Sequence, residues 1–384
     1  MKLMTIGIYQ LCIPFTQAFR HARCLRYASD AVIVRLEDRE GVRGYGEGLA
    51  RPYVTGEHVS SMIGFIRTRL APSLFALEFD SHCDPFEWVK RISMKWADDH
   101  RVQTGIPPWH AAFCAVELAL LDWALRRNDR SLTDYLTPER TRVTYSGVIS
   151  AELPEDAASL ASRFAALGIT QLKVKIGIDD DKARLHAIRD VVGPSYDLRA
   201  DANGAWTAEQ AVRQLTRLQP YRLACIEQPV AGGDVDGLIR VKQECGIPVM
   251  ADESLVTRDQ AMNLAARRAC DLFNVRISKC GGIVRSLDIA AIAQAHGIRV
   301  QVGAMVGETA ILSAAGRHLA ASLPDVAYTE GSFGTKLLSE DIVKEDLAFG
   351  FGGEAPVLHG KGLGVTVQEH TLDRFAVQKI ILNR

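Results

Sequence analysis

No stretch of this chain is apolar for long enough to span a membrane, and the polar, irregular opening from Met1 to Pro14 lacks the apolar centre of an export signal. Its eight cysteines are scattered with no CxxC pair, which argues against both a disulfide framework and a zinc site built on thiolates. Reduced thiols in a cytoplasmic protein are the expectation. Charge of one sign is also missing. With 45 basic and 46 acidic residues the formal net charge is -1, so nothing draws the chain toward nucleic acid or an anionic membrane surface. Low-complexity tracts are absent. What remains is 384 residues, enough for two domains or for one barrel with an added cap.

The first 135 or so residues read as an α+β unit. Residues 2–13 alternate loosely as a strand, and 29–38 with 42–49 form a hairpin around Gly41. Val59, Met62, Ile63, Ile66 and Leu70 fall at helical spacing within 57–71. The Ala/Leu-rich run 109–127, after Pro107-Pro108 and with Arg126-Arg127 near its end, suits a buried helix.

From Arg142 onward strands and helices alternate. Candidate strands are 142–149, 170–175, 197–202, 223–227, 247–252, 271–277, 298–303 and 326–330, with helices between them such as 154–167, 207–218 and 283–296. Eight strands and seven intervening helices describe an α/β fold, a modified TIM barrel of (β/α)7β type. The domains are expected at 1–135 for the cap and 136–350 for the barrel, with 351–384 returning to complete the cap.

Five chemically useful side chains recur along the barrel at steps of 28, 26, 25 and 27 residues: Lys173, Asp201, Glu227, Asp252 and Lys279. Each ends a short apolar run, so parallel strands would deliver all five to one rim, where barrels of this type keep their active sites. Asp201, Glu227 and Asp252 converging there need a cation, and all-oxygen ligation favours Mg²⁺ or Mn²⁺ over zinc. Lys173 and Lys175 point to the same face of their strand, while Lys279 stands on the far side of the acids before Cys280-Gly281-Gly282. A lysine beside a bound cation and away from bulk water gives up its proton more readily and can act as a general base.

These residues sit in motifs: Gly44-Tyr-Gly-Glu47, Ala115-Val-Glu-Leu-Ala-Leu-Leu-Asp122, Lys173-Val-Lys175, Asp201-Ala-Asn203, Glu227-Gln-Pro229, Asp252-Glu253-Ser254 and Lys279-Cys-Gly-Gly282. In that order the chain resembles, over its whole length, the enolase superfamily in its mandelate racemase and muconate lactonising enzyme branch. Sites of that superfamily pair a Lys or His base with Mg²⁺ holding an ene-diolate. The resemblance implies an α+β cap over a (β/α)7β barrel, with Mg²⁺ on Asp201, Glu227 and Asp252. It implies Lys175 and Lys279 as the acid/base pair, Lys173 on the substrate carboxylate or tuning Lys175, and Asn203 and Glu253 supporting the ligands. A symmetric homo-oligomer is implied as well.

No histidine follows His296 in the seventh-strand region Gly297–Met305, so the resemblance points to the lactonising group rather than the mandelate racemases. That group holds muconate cycloisomerases, o-succinylbenzoate synthases, N-acylamino-acid racemases and dipeptide epimerases. The Asp-x-Asp pair that dipeptide epimerases carry after the eighth strand is replaced here by Glu330-Gly-Ser332, and the Glu-x-Phe-Gly-Pro stretch of muconate-processing members keeps only Phe333-Gly334. Two cap loops are expected over the barrel mouth. The first, Phe15–Tyr27, carries Arg20, His21, Arg23 and Arg26, a cationic group suited to an anionic substrate; the second carries Arg51 and Tyr53. Glu308, after the seventh strand, reads equally as a polar contact or a helix start. The expected activity is removal of a proton α to the carboxylate of a small substrate, muconate cycloisomerase-like in the first instance. N-acylamino-acid racemase, o-succinylbenzoate synthase and dipeptide epimerase are the alternatives. A hydrolase using metal-activated water and a non-catalytic binding barrel are the rivals from other classes.

Overall fold

Glycines at every second position of the strand Arg43–Gly48 let it lie directly on the long helix His110–Arg127. A Cβ built on Gly46 would fall within the backbone of Ala115, and one on Gly44 or Gly48 within that of Trp123 or Ala111. That contact organises the cap in the computed structural model, which describes residues 2–21, 24–79, 83–99, 109–178 and 180–384. Replacing Gly46 by alanine is expected to cost roughly 1–3 kcal/mol through overpacking, read as a fall of several degrees in the melting temperature by scanning calorimetry. An unchanged melting temperature would mean that the sheet does not rest on this helix.

The cap sheet has four antiparallel strands in the order Ala376–Asn383, Leu3–Leu11, Val32–Asp38, Arg43–Gly48. The C-terminal tail thus returns to the first domain, as expected, and pairs with the first strand from Thr5↔Asn383 to Leu11↔Ala376. Two expectations for the cap change. The segment 57–71 is not one helix but Val59–Phe65 followed by a wider turn at Ile66–Leu70, and helix resumes at Ala71–Ala76. The described residues of the supposed mouth loop Phe15–Tyr27 belong to a two-stranded ribbon, Ile13–His21 with Cys24–Ser29. Its base is tied down from the barrel side: Thr16 N–H donates to Leu337 O at 2.7 Å and Ser339 N–H donates to Pro14 O at 2.8 Å.

Eight parallel strands form the second sheet, in sequence order: Gly147–Ile149, Gln171–Lys175, Asp197–Asp201, Ile226–Glu227, Val249–Ala251, Leu272–Val275, Arg299–Val302 and Val326–Thr329. Ser146 N–H donates to Thr329 O at 2.9 Å, which links the last strand to the first. Among the described residues a helix follows each of the first seven strands, from Pro154–Ala166 to Ala310–Ser322, and the sixth strand is followed by two, Ile277–Cys280 and Ile283–Ala295. Five of them start at a side-chain cap, as where the Thr207 hydroxyl accepts from Gln210 N–H and the Gln210 side chain answers. The segment 142–149, read as one strand, is two: Arg142–Thr144 pairs antiparallel with Glu354–Pro356, and only Gly147–Ile149 enters the barrel. Among the described residues no helix is long and apolar enough to cross a membrane.

Buried carboxylates join cap to barrel and account for two of the sequence motifs. Glu47 accepts from Thr309 N–H at 2.7 Å, the Thr309 hydroxyl at 2.7 Å and Leu312 N–H at 2.9 Å, capping a barrel helix from the cap sheet. Glu117 does the same for Val284 N–H at 3.2 Å, and Asp122 accepts from both Tyr45 N–H and Leu363 N–H.

Candidate active site

Strand register brings the rim together. Lys175 pairs with Asp201 and Asp201 with Glu227 across adjacent strands, so the three stand on one row; Asp252 follows the next strand. Lys173 lies one layer deeper, level with Arg199. Lys173, Lys175, Asp201, Glu227 and Asp252 all line a single cavity of about 90 Å³ at this end of the barrel.

Each acid is held by specific partners. Asp201 accepts from Lys175 Nζ at 2.6 Å, and Lys175 also donates to Asn203 Oδ1 at 3.0 Å. Glu227 accepts from Asn274 Nδ2 at 2.7 Å and from Gln301 and Lys173 at 3.3 Å each. Asp252 is gripped by the Arg276 guanidinium, through Nε at 2.9 Å and through a second nitrogen, and by Lys279 Nζ at 2.9 Å. Gln228 braces the two loops between: its Oε1 accepts from the N–H groups of Asp252 and Ser254, and its Nε2 donates to Val230 O. Asn203 adopts a left-handed φ of 46° and passes the contact on, its Nδ2 donating to Glu253 Oε1 at 3.1 Å.

Electrostatics here are a contest between burial and neighbours. Burial opposes ionisation of Asp201, but Lys175 and Lys173 outweigh it and hold the carboxyl below its usual range. Asp252 is likewise held low by Arg276 and Lys279 against its burial. Glu227 goes the other way: burial, then the charge of Asp201, push it up to about 7. Lys173 keeps its proton firmly, because Glu227, Glu330 and Asp201 outweigh the cost of burying it.

Among the described residues no three acid, histidine or cysteine side chains already stand at metal-ligand spacing, since each acid is drawn to a cation or an amide instead. The donor set nevertheless fits a hard divalent ion. Five carboxyls line the cavity against three cations, Lys173, Lys175 and Arg276. Glu253 Oε2, beside them, is buried with no hydrogen-bond partner. Surplus oxygen donors without soft ligands are what Mg²⁺ selects.

Other expected residues are placed differently. Lys279 is not at a strand end: its strand stops at Val275, and it sits on a one-turn helix, Ile277–Cys280. It is wholly buried, does not line the cavity, and its ammonium donates to Asp252 O, Asp252 Oδ1 and Asn274 O at 2.8, 2.9 and 2.7 Å. Arg51, expected on the substrate, is spent on architecture: it donates to Asp30 Oδ1, Ala50 O and Val306 O at 2.7–2.8 Å. Arg26 is paired with the same Asp30 at 3.0 Å. Tyr53, on the short helix Pro52–Thr55, does not line the cavity. Arg20 and His21 fall in the ribbon, but their side chains lie outside the described residues, as does the whole of Arg23. The ribbon's described contribution to the cavity is Phe19.

Sequence reasoning missed Glu330 and Arg276. Glu330, one residue past the eighth strand, accepts from Lys173 Nζ at 2.7 Å and from Arg199 at 3.0 Å. Arg199 is itself stacked 3.8 Å over the Tyr328 ring. The signal was available: the rule that strand-end acids reach the rim applies to the eighth strand as well as to the third and fourth.

The family described as "Enolase C-terminal domain-like" matches residues 155–371. The chain is 31% identical over 372 residues to the L-Ala-D/L-Glu epimerase of Bacillus subtilis, covering 95% of this chain and 97% of that protein. It is 29% identical over 375 residues to muconate cycloisomerase 1 of Rhodococcus opacus, covering 95% and 96%. The crystal structure of a dipeptide epimerase from Cytophaga hutchinsonii, complexed with Mg and the dipeptide D-Ala-L-Val, superposes with a TM-score of 0.88 at 26% identity, covering 100% of both chains. With its barrel, its cap and its row of strand-end acids, the chain belongs to the enolase superfamily, in the branch of the muconate lactonising enzymes.

Proposed function

We propose that this enzyme removes a proton α to the carboxylate of a small substrate, with Mg²⁺ held by Asp201, Glu227 and Asp252 and with Lys175 as the base. One observation carries the reading: the Lys175 ammonium and all three strand-end carboxylates line the same small cavity. When bound, a divalent ion would supply Lewis acidity there, stabilising the charge that develops on the substrate carboxylate by several kcal/mol. Lys173, fixed by Glu330 at 2.7 Å, supplies a permanent positive charge toward that carboxylate. Lys175 moves the proton at Nζ, and Asn203 and Asp201 orient it. Phe19 and the ribbon tied over the mouth exclude water. Lys279 is the partner on the opposite face; to reach substrate it gives up one of its three acceptors.

Epimerisation begins with this step, whereas cycloisomerisation reaches the same kind of ene-diolate by adding a carboxylate to a double bond and then takes a proton at the α-carbon. Lys175 would therefore remove the proton in one and deliver it in the other; both kinds of relative are represented. The unpaired cysteines among the described residues suit a cytoplasmic setting, and we assign the protein a homo-oligomeric state in keeping with the resemblance. The test is a library of α-substituted carboxylates incubated with the Mg²⁺-loaded protein in D₂O, followed by NMR for deuterium at the α-carbon. Exchange in at least one compound class is expected. No exchange in any class from folded, metal-binding protein would end the reading.

A further inference from the structure

The cavity has an outer end beyond the acids and lysines. Phe19 of the ribbon, Val306 after the seventh strand, and Phe333, Leu337 and Leu338 after the eighth give it apolar walls. Of the five acids lining the cavity, Glu308 is the one that no lysine or arginine pairs with among the described residues, and it also faces a smaller adjoining pocket with Arg276 and Glu330. Its Oε1 accepts from the Ser313 hydroxyl at 2.9 Å and its Oε2 from Met305 N–H at 3.0 Å. Among the described residues no lysine or arginine forms an ion pair with it, and the leading charges acting on it, after burial, are those of Glu47 and Asp341, both acidic.

A carboxyl in this position is expensive, since a shielded charge without a counter-ion loses more than hydrogen bonds return. Burial accordingly pushes Glu308 up to about 8. Helix capping does not explain its presence. The helix Ala310–Ser322 is already served by the Thr309 side chain, by Asp341 on Ala310 N–H, and by Glu47 on Leu312 N–H. A neighbouring glycine then decides the matter. At Gly331, where φ is +107°, a Cβ would stand 2.8 Å from Glu308 Oε1 and 2.9 Å from the Ala304 Cβ. The missing side chain keeps the carboxyl open to the cavity.

We propose that Glu308 is the specificity-determining residue of this outer end and that it receives a positively charged amine carried by the substrate away from the reacting carboxylate. The proposal rests on the α-proton reading above and narrows it to amino-acyl carboxylates, such as short peptides with a free amino terminus. An ammonium supplies the missing counter-ion and donates to the lone pairs that Ser313 and Met305 leave unused. An anionic distal group would instead meet an acid among apolar walls.

The full-length, Mg²⁺-loaded protein would be given three probes in D₂O: L-alanyl-L-leucine, its N-acetyl derivative and cis,cis-muconate. Turnover would be read by NMR and binding by the thermal shift that each compound produces. The free-amine dipeptide is expected to exceed its N-acetyl derivative in kcat/KM by roughly 10- to 100-fold, the range of one charge-assisted contact. Glu308→Gln should erase that gap by lowering the free-amine value alone, and Glu308→Asp should restore part of it. A gap that survives in Glu308→Gln, or a wild-type preference for the N-acetyl compound or the diacid, overturns the proposal. Should no probe exchange, thermal shift decides. Stabilisation by the free amine that is lost in Glu308→Gln supports Glu308 and strikes the α-proton reading instead, whereas equal shifts, or none, in both proteins overturn the assignment of Glu308.

Discussion

Lys175→Ala is expected to lower α-proton exchange of the enantiomer that faces it by roughly 10²- to 10⁴-fold, the contribution of a positioned general base, while the protein stays folded and still binds Mg²⁺. The size of the loss follows from placement. Lys175 ends its strand within 2.6 Å of Asp201 and 3.0 Å of Asn203, lines the cavity, and has no lysine neighbour at its own level that could replace it. Lys173 cannot stand in, because the acids around it hold its proton in place. Lys279→Ala makes the informative contrast. If Lys279 serves the opposite face, this variant should still exchange the α-proton of one enantiomer and fail with the other, a split visible when each is incubated separately in D₂O. Wild-type exchange of both enantiomers by Lys175→Ala would remove Lys175 from the chemistry.

Loss of metal is the second large effect. Asp201→Asn, Glu227→Gln and Asp252→Asn should each weaken Mg²⁺ binding by at least about 10-fold in titration calorimetry, since each removes an anionic oxygen from a set with no soft donor to compensate. Arg276→Met should do the reverse. Its guanidinium forks onto Asp252, so the ion must share or displace that contact, and removing the competitor should tighten binding. Unchanged affinity in all three acid variants would mean that the ion sits elsewhere.

Much of this site was legible because barrel chemistry is written at strand ends. Asp201 and Glu227 pair in register, and a near-constant step in the sequence is the one-dimensional shadow of that row. The motif residues Glu47, Glu117 and Gln228 turned out to be structural joints, which pattern reading could notice but not explain. What stayed hidden depends on closure. Glu330 matters because the eighth strand comes round to meet Lys173 and Arg199 of the second and third, a contact across a ring that no local spacing displays. Arg51 and Arg26 looked like substrate ligands because their common partner, Asp30, can be identified only once the ribbon is folded back. The helix carrying Lys279 spans only Ile277–Cys280, too short for helical periodicity to separate it from the strand before it.

The strand Leu3–Leu11 takes Val32–Asp38 on one side and Ala376–Asn383 on the other. The first neighbour is synthesised almost at once, the second only after the entire barrel. During translation the opening strand therefore waits with one hydrogen-bonding edge bare, the kind of edge that recruits other nascent chains. The barrel can close before the cap sheet does, because the strand Ala376–Asn383 follows every barrel strand in the chain. Loss of Ala376–Asn383 would then favour aggregation in the cell over a smaller working enzyme, since it would leave that edge bare for good.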